Sequence, residues 1–148
     1  MSDYNQSAVL ERYGRSPSVD QTRGYLKALK VIIGADGQIP EAELNALKKG
    51  MNRMGASEAL KQEVLNFDIT GVALESVLPN FTQGGTRARM LIRDAIELSS
   101  ADGTYAVEEK AAVEKAASLL GVDQETVKAL QALVEMEHAV KRLRKALL

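Results

Sequence analysis

Apolar residues recur along this chain at helical spacing, in short stretches punctuated by Gly, Pro and Asp. Leu26, Leu29 and Ile33, flanked by Tyr25 and Ile32, form a wide stripe that predicts a first helix. Ser18 is placed to cap it, with Gln21 in the capping-box position. Gly34 and Gly37 bracket its end, and Pro40 suits the first turn of a second helix, where a missing N–H costs nothing. Leu44, Leu47, Met51 and Met54 step by 3, 4 and 3 along that helix, and Gly55 stops it. Ser57 then caps a short third helix through Leu60, Val64 and Leu65 to about Phe67. Residues 68–86 read as a connector holding a short helix around Val72, Leu74, Val77 and Leu78, ended by Pro79, with Gly84-Gly85 as a flexible joint. A helix is expected from about Thr86 to Ser100, with Leu91, Ala95 and Leu98 inward and Ile92 and Ile96 widening the face. Another follows from about Ala106 to Leu120, then Gly121. Asp123 is the expected cap of a last helix, in which Leu133, Met136, Val140, Leu143 and Leu147 step by 3, 4, 3 and 4.

The same short pattern occurs twice. Ala35-Asp36-Gly37-Gln38-Ile39-Pro40-Glu41-Ala42-Glu43 and Ala101-Asp102-Gly103-Thr104-Tyr105-Ala106-Val107-Glu108-Glu109 both keep Asp-Gly, an apolar residue two places on, and Glu four places later. At an offset of 66 the flanks match without gaps: Ala46 with Ala112, Lys49 with Lys115, Gly55 with Gly121. Leu47, Met51 and Met54 fall opposite Val113, Ala117 and Leu120, so the apolar face is kept too. A duplicated helix–acidic turn–helix unit is thereby predicted. The chain divides into a flexible lead-in over 1–17 and one all-helical domain over 18–148. Within the domain, repeat one covers about 19–67, the connector 68–86, and repeat two about 87–148.

Composition narrows the class. Apolar residues make up 45% of the 148 and aromatics only 4%, which favours a helical bundle over a β-sandwich. With no Cys there is no disulfide framework, thiolate nucleophile or Cys-based metal site. The formal net charge of −1 sets up no global field for nucleic acid or an anionic membrane. No apolar run approaches the roughly 18 residues of a spanning helix. The N-terminal residues lack the basic and apolar regions of a signal peptide, so a cytoplasmic protein is expected.

Each acidic turn matches the second half of an EF-hand loop, Asp-Gly then Glu at the right distance, with Ile39 and Tyr105 at the apolar position. The first half is absent: Ile32 and Gly34 in one copy, and Leu98 and Ser100 in the other, stand where ligands belong. Calcium takes six to eight oxygens, and half a loop cannot supply them. A cation site therefore requires Asp36, Glu43, Asp102 and Glu109 to converge, with backbone carbonyls and water completing the shell. The competing reading is structural. Asp-Gly is ordinary turn chemistry, and Glu near a helix start is favoured by the macrodipole.

The duplicated A-D-G-x-[apolar]-x-x-x-E element, each copy followed by an amphipathic helix ending in Gly, resembles the TerB-like domains of the bacterial tellurite-resistance family, over about residues 19–130. The resemblance implies an all-α bundle of two pseudo-symmetric halves whose acidic turns bind a divalent cation, calcium or magnesium. It implies a non-enzymatic part in a stress-response or signalling assembly, sometimes membrane-associated. The implied ligands are Asp36, Glu43, Asp102 and Glu109, with Glu41 and Glu108 as weaker candidates.

Other chemistry is thin. Glu135-x-x-His138 has di-iron ligand spacing but lacks the second such pair, and no Gly-x-Ser-x-Gly elbow accompanies this single His. No enzyme is expected. Lys141, Arg142, Arg144 and Lys145 cluster at the end of the last helix, where cations complement the helix dipole. The alternative to a metal module is an interaction module docking through Leu133, Met136, Val140, Leu143 and Leu147 onto another protein or a second copy. Nucleic acid is not an expected partner, with few aromatics to stack on bases. The oligomeric state is not set by these features.

Overall fold

Every apolar stripe except the Leu133-to-Leu147 seam of the last helix supplies the buried face of a helix. The computed structural model describes residues 19–101 and 103–148. The expected lead-in over 1–17, the Ser18 cap and Asp102 lie outside the described residues. Among the described residues there are six α-helices and no strand: α1 (Val19–Ile33), α2 (Glu41–Met54), α3 (Glu58–Leu65), α4 (Thr86–Ser99), α5 (Val107–Leu119) and α6 (Gln124–Leu147). The connector carries only a 3₁₀ turn, Leu74–Ser76, in place of the expected short helix. Leu74 is the buried side chain of that turn, and a single turn suffices to seat it.

Matched positions of the two halves play matched parts. Leu26 and Ile92, Leu29 and Ala95, Ile32 and Leu98, Leu47 and Val113, Met51 and Ala117, and Met54 and Leu120 are all buried. Each large aliphatic removed from water contributes about 1.5–3 kcal/mol, so these faces supply the main cohesion. On α2 the buried face differs from the expected one by a small rotation. Leu44 is only half-buried, and Glu43 takes the buried place above Leu47, Met51 and Met54.

Helix α4 is central, packing on α1, α5, α6 and α2, while α1 also packs on α5. The first helix of each half thus touches the second helix of the other, and this crossing brings the starts of α2 and α5 towards one another. The caps differ in kind. Asp123 accepts a hydrogen bond from Thr126 N at 2.8 Å at the start of α6, as expected, and Ser57 accepts from Leu60 N at 3.1 Å. Pro40 stands just outside α2 as its N-cap, one place earlier than expected. Asp123→Ala is expected to destabilise the chain by loss of this cap, read as a lower urea midpoint at unchanged slope.

The Gly84-Gly85 pair is no loose joint. Gly84 N donates to Leu120 O at 2.8 Å, tying the connector to the end of α5. Gly84 has φ +65°, and a Cβ there would lie 2.9 Å from Gly121 O. The backbones pass too closely for a side chain.

Candidate metal centre at the paired acidic turns

The two turns are built alike. Gly37 N bonds Gly34 O at 3.0 Å, and Gly103 N bonds Ser100 O at 3.0 Å. Ala35 N and Ala101 N reach Ile32 O and Leu98 O, both at 3.2 Å. Gly37 and Gly103 have φ of 91° and 87°, a conformation that glycine alone adopts freely. Leu44 N to Pro40 O (3.0 Å) and Lys110 N to Ala106 O (2.9 Å) then open the following helices. This geometry sets Glu43 and Glu109 at the third position of their helices.

Those two glutamates leave the surface. Glu43 is 0% exposed and Glu109 3%, whereas Glu41 and Glu108 are exposed. A Glu at the third position commonly reaches back to the N-cap N–H. Ala106 offers Glu109 such a bond, but Pro40 has no N–H to offer Glu43, so this capping role explains only one of the pair. Burial pushes the Glu109 carboxyl above its ordinary value of 4.5, and the charge of Asp36 pushes the same way. The Ser99 hydroxyl and the Glu43 carboxyl face it and pull in the opposite direction. Among the described residues, no hydrogen bond closes onto Glu109 Oε2.

Asp36 and Glu43 of the first turn and Glu109 of the second therefore share one neighbourhood. Asp36 itself is exposed and accepts from Gln38 N at 3.1 Å, so one of its oxygens serves the turn. Among the described residues, no three acidic or histidine side chains are gathered tightly enough to hold a metal ion by themselves. The donors present are all oxygen, which suits calcium or magnesium rather than a thiolate- or imidazole-seeking metal. Tyr105 flanks the site, half-buried, with the Lys110 ammonium 5.3 Å from its ring centre and its phenol pushed up by burial.

Three features escaped the sequence reading. Arg93 on α4 pairs with Asp94 at 2.8 Å, with Glu97, and with Glu137 of α6 at 2.8 Å, while Tyr25 of α1 donates to buried Asp94. Lys30 on α1 is buried and donates to Val64 O, Leu65 O and Phe67 O at 2.9, 2.7 and 2.7 Å. An Arg-Asp pair and a lone helical Lys look like surface residues in a sequence, and only the packing of distant helices converts them to buried links. The third is the core-facing side of α6, opposite the seam through which docking was expected. Val127, Leu130 and Val134 face the core, whereas Leu133, Met136, Val140, Leu143 and Leu147 are exposed. Glu135 and the basic cluster are exposed as well, and His138 is half-buried. Among the described residues, no helix is long and apolar enough to cross a membrane.

Comparison with known proteins agrees with this architecture. The family model described as tellurite resistance protein TerB matches residues 26–132. No curated protein matches the chain. A crystal structure of a tellurite resistance protein from Nostoc punctiforme PCC 73102, at 1.85 Å resolution, is 26% identical with a TM-score of 0.79. The likeness covers 99% of this chain and 95% of that one. The matched span includes both acidic turns, the second half of α1, the helices from α2 to α5 and the first part of α6, so the chain belongs to the TerB family of tellurite resistance proteins.

Proposed function

We propose that this protein is a non-enzymatic module of a bacterial, cytoplasmic stress-response assembly, binding one calcium or magnesium ion through its paired acidic turns. The observation that carries this reading is the burial of Glu43 and Glu109 face to face, with the Asp36 charge in reach. Two carboxylates in one enclosed place repel when both are ionised, and a divalent cation offsets that repulsion. Asp36, Glu43 and Glu109 would hold the ion, with Asp102 completing the pattern by its place in the repeat. The cation would neutralise the buried acids and tie the start of α2 to the start of α5. Tellurite resistance enters through membership of the family, and the protein's part in it would be structural or sensory.

Titration calorimetry of chelated protein with calcium and with magnesium tests the reading. One saturable site per chain, lost in Asp36→Asn/Asp102→Asn and in Glu43→Gln, is the expected outcome. Equal heats for the wild type and all variants would leave the turns as architecture.

A further inference from the structure

The second half of α6 carries an apolar seam that the fold leaves uncovered. Met136 is 66% exposed, Val140 53%, Leu143 59% and Leu147 76%, with Leu133 exposed beside them. At about 100° per residue this seam lies on the side of α6 opposite Val134, the side chain that faces the core. It therefore points away from the protein's own body. Its 3, 4 spacing is that of the a and d positions of a heptad. The residues flanking one edge are Ala132, Ala139 and Ala146, and the other edge carries Glu137 and Arg144. Small residues along one edge let a second helix approach closely.

The charges along the segment identify that helix. Glu135 and Glu137 lie at its start, and Lys141, Arg142, Arg144 and Lys145 lie towards its end. A second copy in parallel would set basic end on basic end, whereas an antiparallel copy sets each basic end against the other's acids. Two antiparallel registers bury four seam residues from each chain. One sets Leu133 against Leu143 and Met136 against Val140, but it brings Glu137 against Glu137 of the second copy. The other sets Met136 against Leu147, Val140 against Leu143, Ala139 against Ala146 and Glu137 against Arg144 of the second copy. Opposite charges then meet along the edge of the seam, and like charges do not. Glu137 stands between that edge and α4, where both its oxygens also accept from Arg93.

We infer that the protein associates with a second copy of itself through residues 136–147 of α6, antiparallel, in the register that pairs Glu137 with Arg144. This surface shares no residue with the acidic turns, and the inference is independent of whether they hold a cation.

Sedimentation and disulfide trapping test it on the full chain. The wild type is expected to show concentration-dependent dimerisation, abolished by Val140→Glu and weakened by Arg144→Glu, which sets like charges together. Both positions are exposed, so the melting curve of the dissociated chain should be unchanged. Because the chain has no Cys, introduced thiols report without background. A mixture of Met136→Cys and Leu147→Cys should cross-link on mild oxidation, while either variant alone should not. In the favoured register Met136 lies about 16 Å along the axis from its own counterpart. Self-cross-linking of Met136→Cys alone would mean a parallel pair or the other antiparallel register, and either would overturn the proposal. So would a wild type that stays monomeric at every accessible concentration, which would leave the seam to a different protein or a membrane surface.

Discussion

Replacing Glu109 by Gln is expected to raise the thermal stability of the cation-free protein and to remove its response to calcium. The carboxyl is buried, and burial together with the Asp36 charge raises its pKa. Its ionised form is therefore disfavoured in the folded state. Between the raised folded value and 4.5 the folded chain binds more protons than the unfolded one, so stability falls as pH rises through that window. Cation-free wild type should accordingly become more stable on acidification from neutral pH towards 4.5, until the lowered carboxyls such as Asp123 begin to protonate. Glu109→Gln should lack that gain, having taken it in advance. Added cation acts in the reverse sense, since it favours the ionised acid. At 100 times its dissociation constant it contributes about 2.7 kcal/mol to the folded state. For a chain of this size each kcal/mol raises Tm by about 2–4 °C, so the wild-type rise is readily measured. In Glu109→Gln the curves with and without calcium should superimpose. Melting curves of chelated protein at several pH values, with and without calcium, decide the matter. A Glu109→Gln variant less stable than wild type without cation would make the carboxylate a structural acceptor and sink the metal reading.

The repeat was legible because duplication supplies an internal control that a single chain otherwise lacks. Leu47 opposite Val113 and Met51 opposite Ala117 mark the same buried face twice, and the structure buries all four. Helices α1, α4 and α5 follow from 3.6-residue periodicity, with ends misplaced by a residue or two where caps compete. The repeat also separated Glu43 and Glu109 from their neighbours Glu41 and Glu108. What it could not supply was their burial. An acid in the first turn of a helix is ordinarily a solvated partner of the dipole, and only the crossing of α1 with α5 and α2 with α4 encloses these two. The orientation of α6 was illegible for a related reason. It carries two apolar faces, Val127-Leu130-Val134 and Leu133-to-Leu147, and hydropathy does not say which meets the core. The packing on α4 selects the first, and the Arg93–Glu137 pair fastens it there.

Lys30→Met is expected to cost about 3 kcal/mol, because one ammonium terminates a whole helix. The last carbonyls of a helix have no intrahelical donor and need one from elsewhere. At the end of α3 Leu65 O receives a bond from Lys30 Nζ, as do Phe67 O just beyond and Val64 O, which also accepts from Phe67 N at 3.2 Å. An ammonium has three donors and no acceptor, so it is fully used by three carbonyls. Burial lowers the Lys30 pKa and the Asp68 charge offsets part of that, so the site bears a desolvation cost in return for closing α3 onto α1. A hydrogen bond to a charged group is worth about 1.5–3 kcal/mol, and the part-buried Leu65 O and Phe67 O lose their donor. Against this, Met regains some of the lost contact by packing its thioether among the same side chains, which keeps the net loss below the sum of three bonds. Lys30→Arg should recover little, since a planar guanidinium fork does not converge three donors on one point as an ammonium does. Urea unfolding should show both variants with a lowered midpoint at unchanged slope. Native-state hydrogen exchange should place the added opening in α3 rather than in α4. A Lys30→Met variant as stable as wild type would mean that α3 closes without this ammonium, with its last carbonyls satisfied by water.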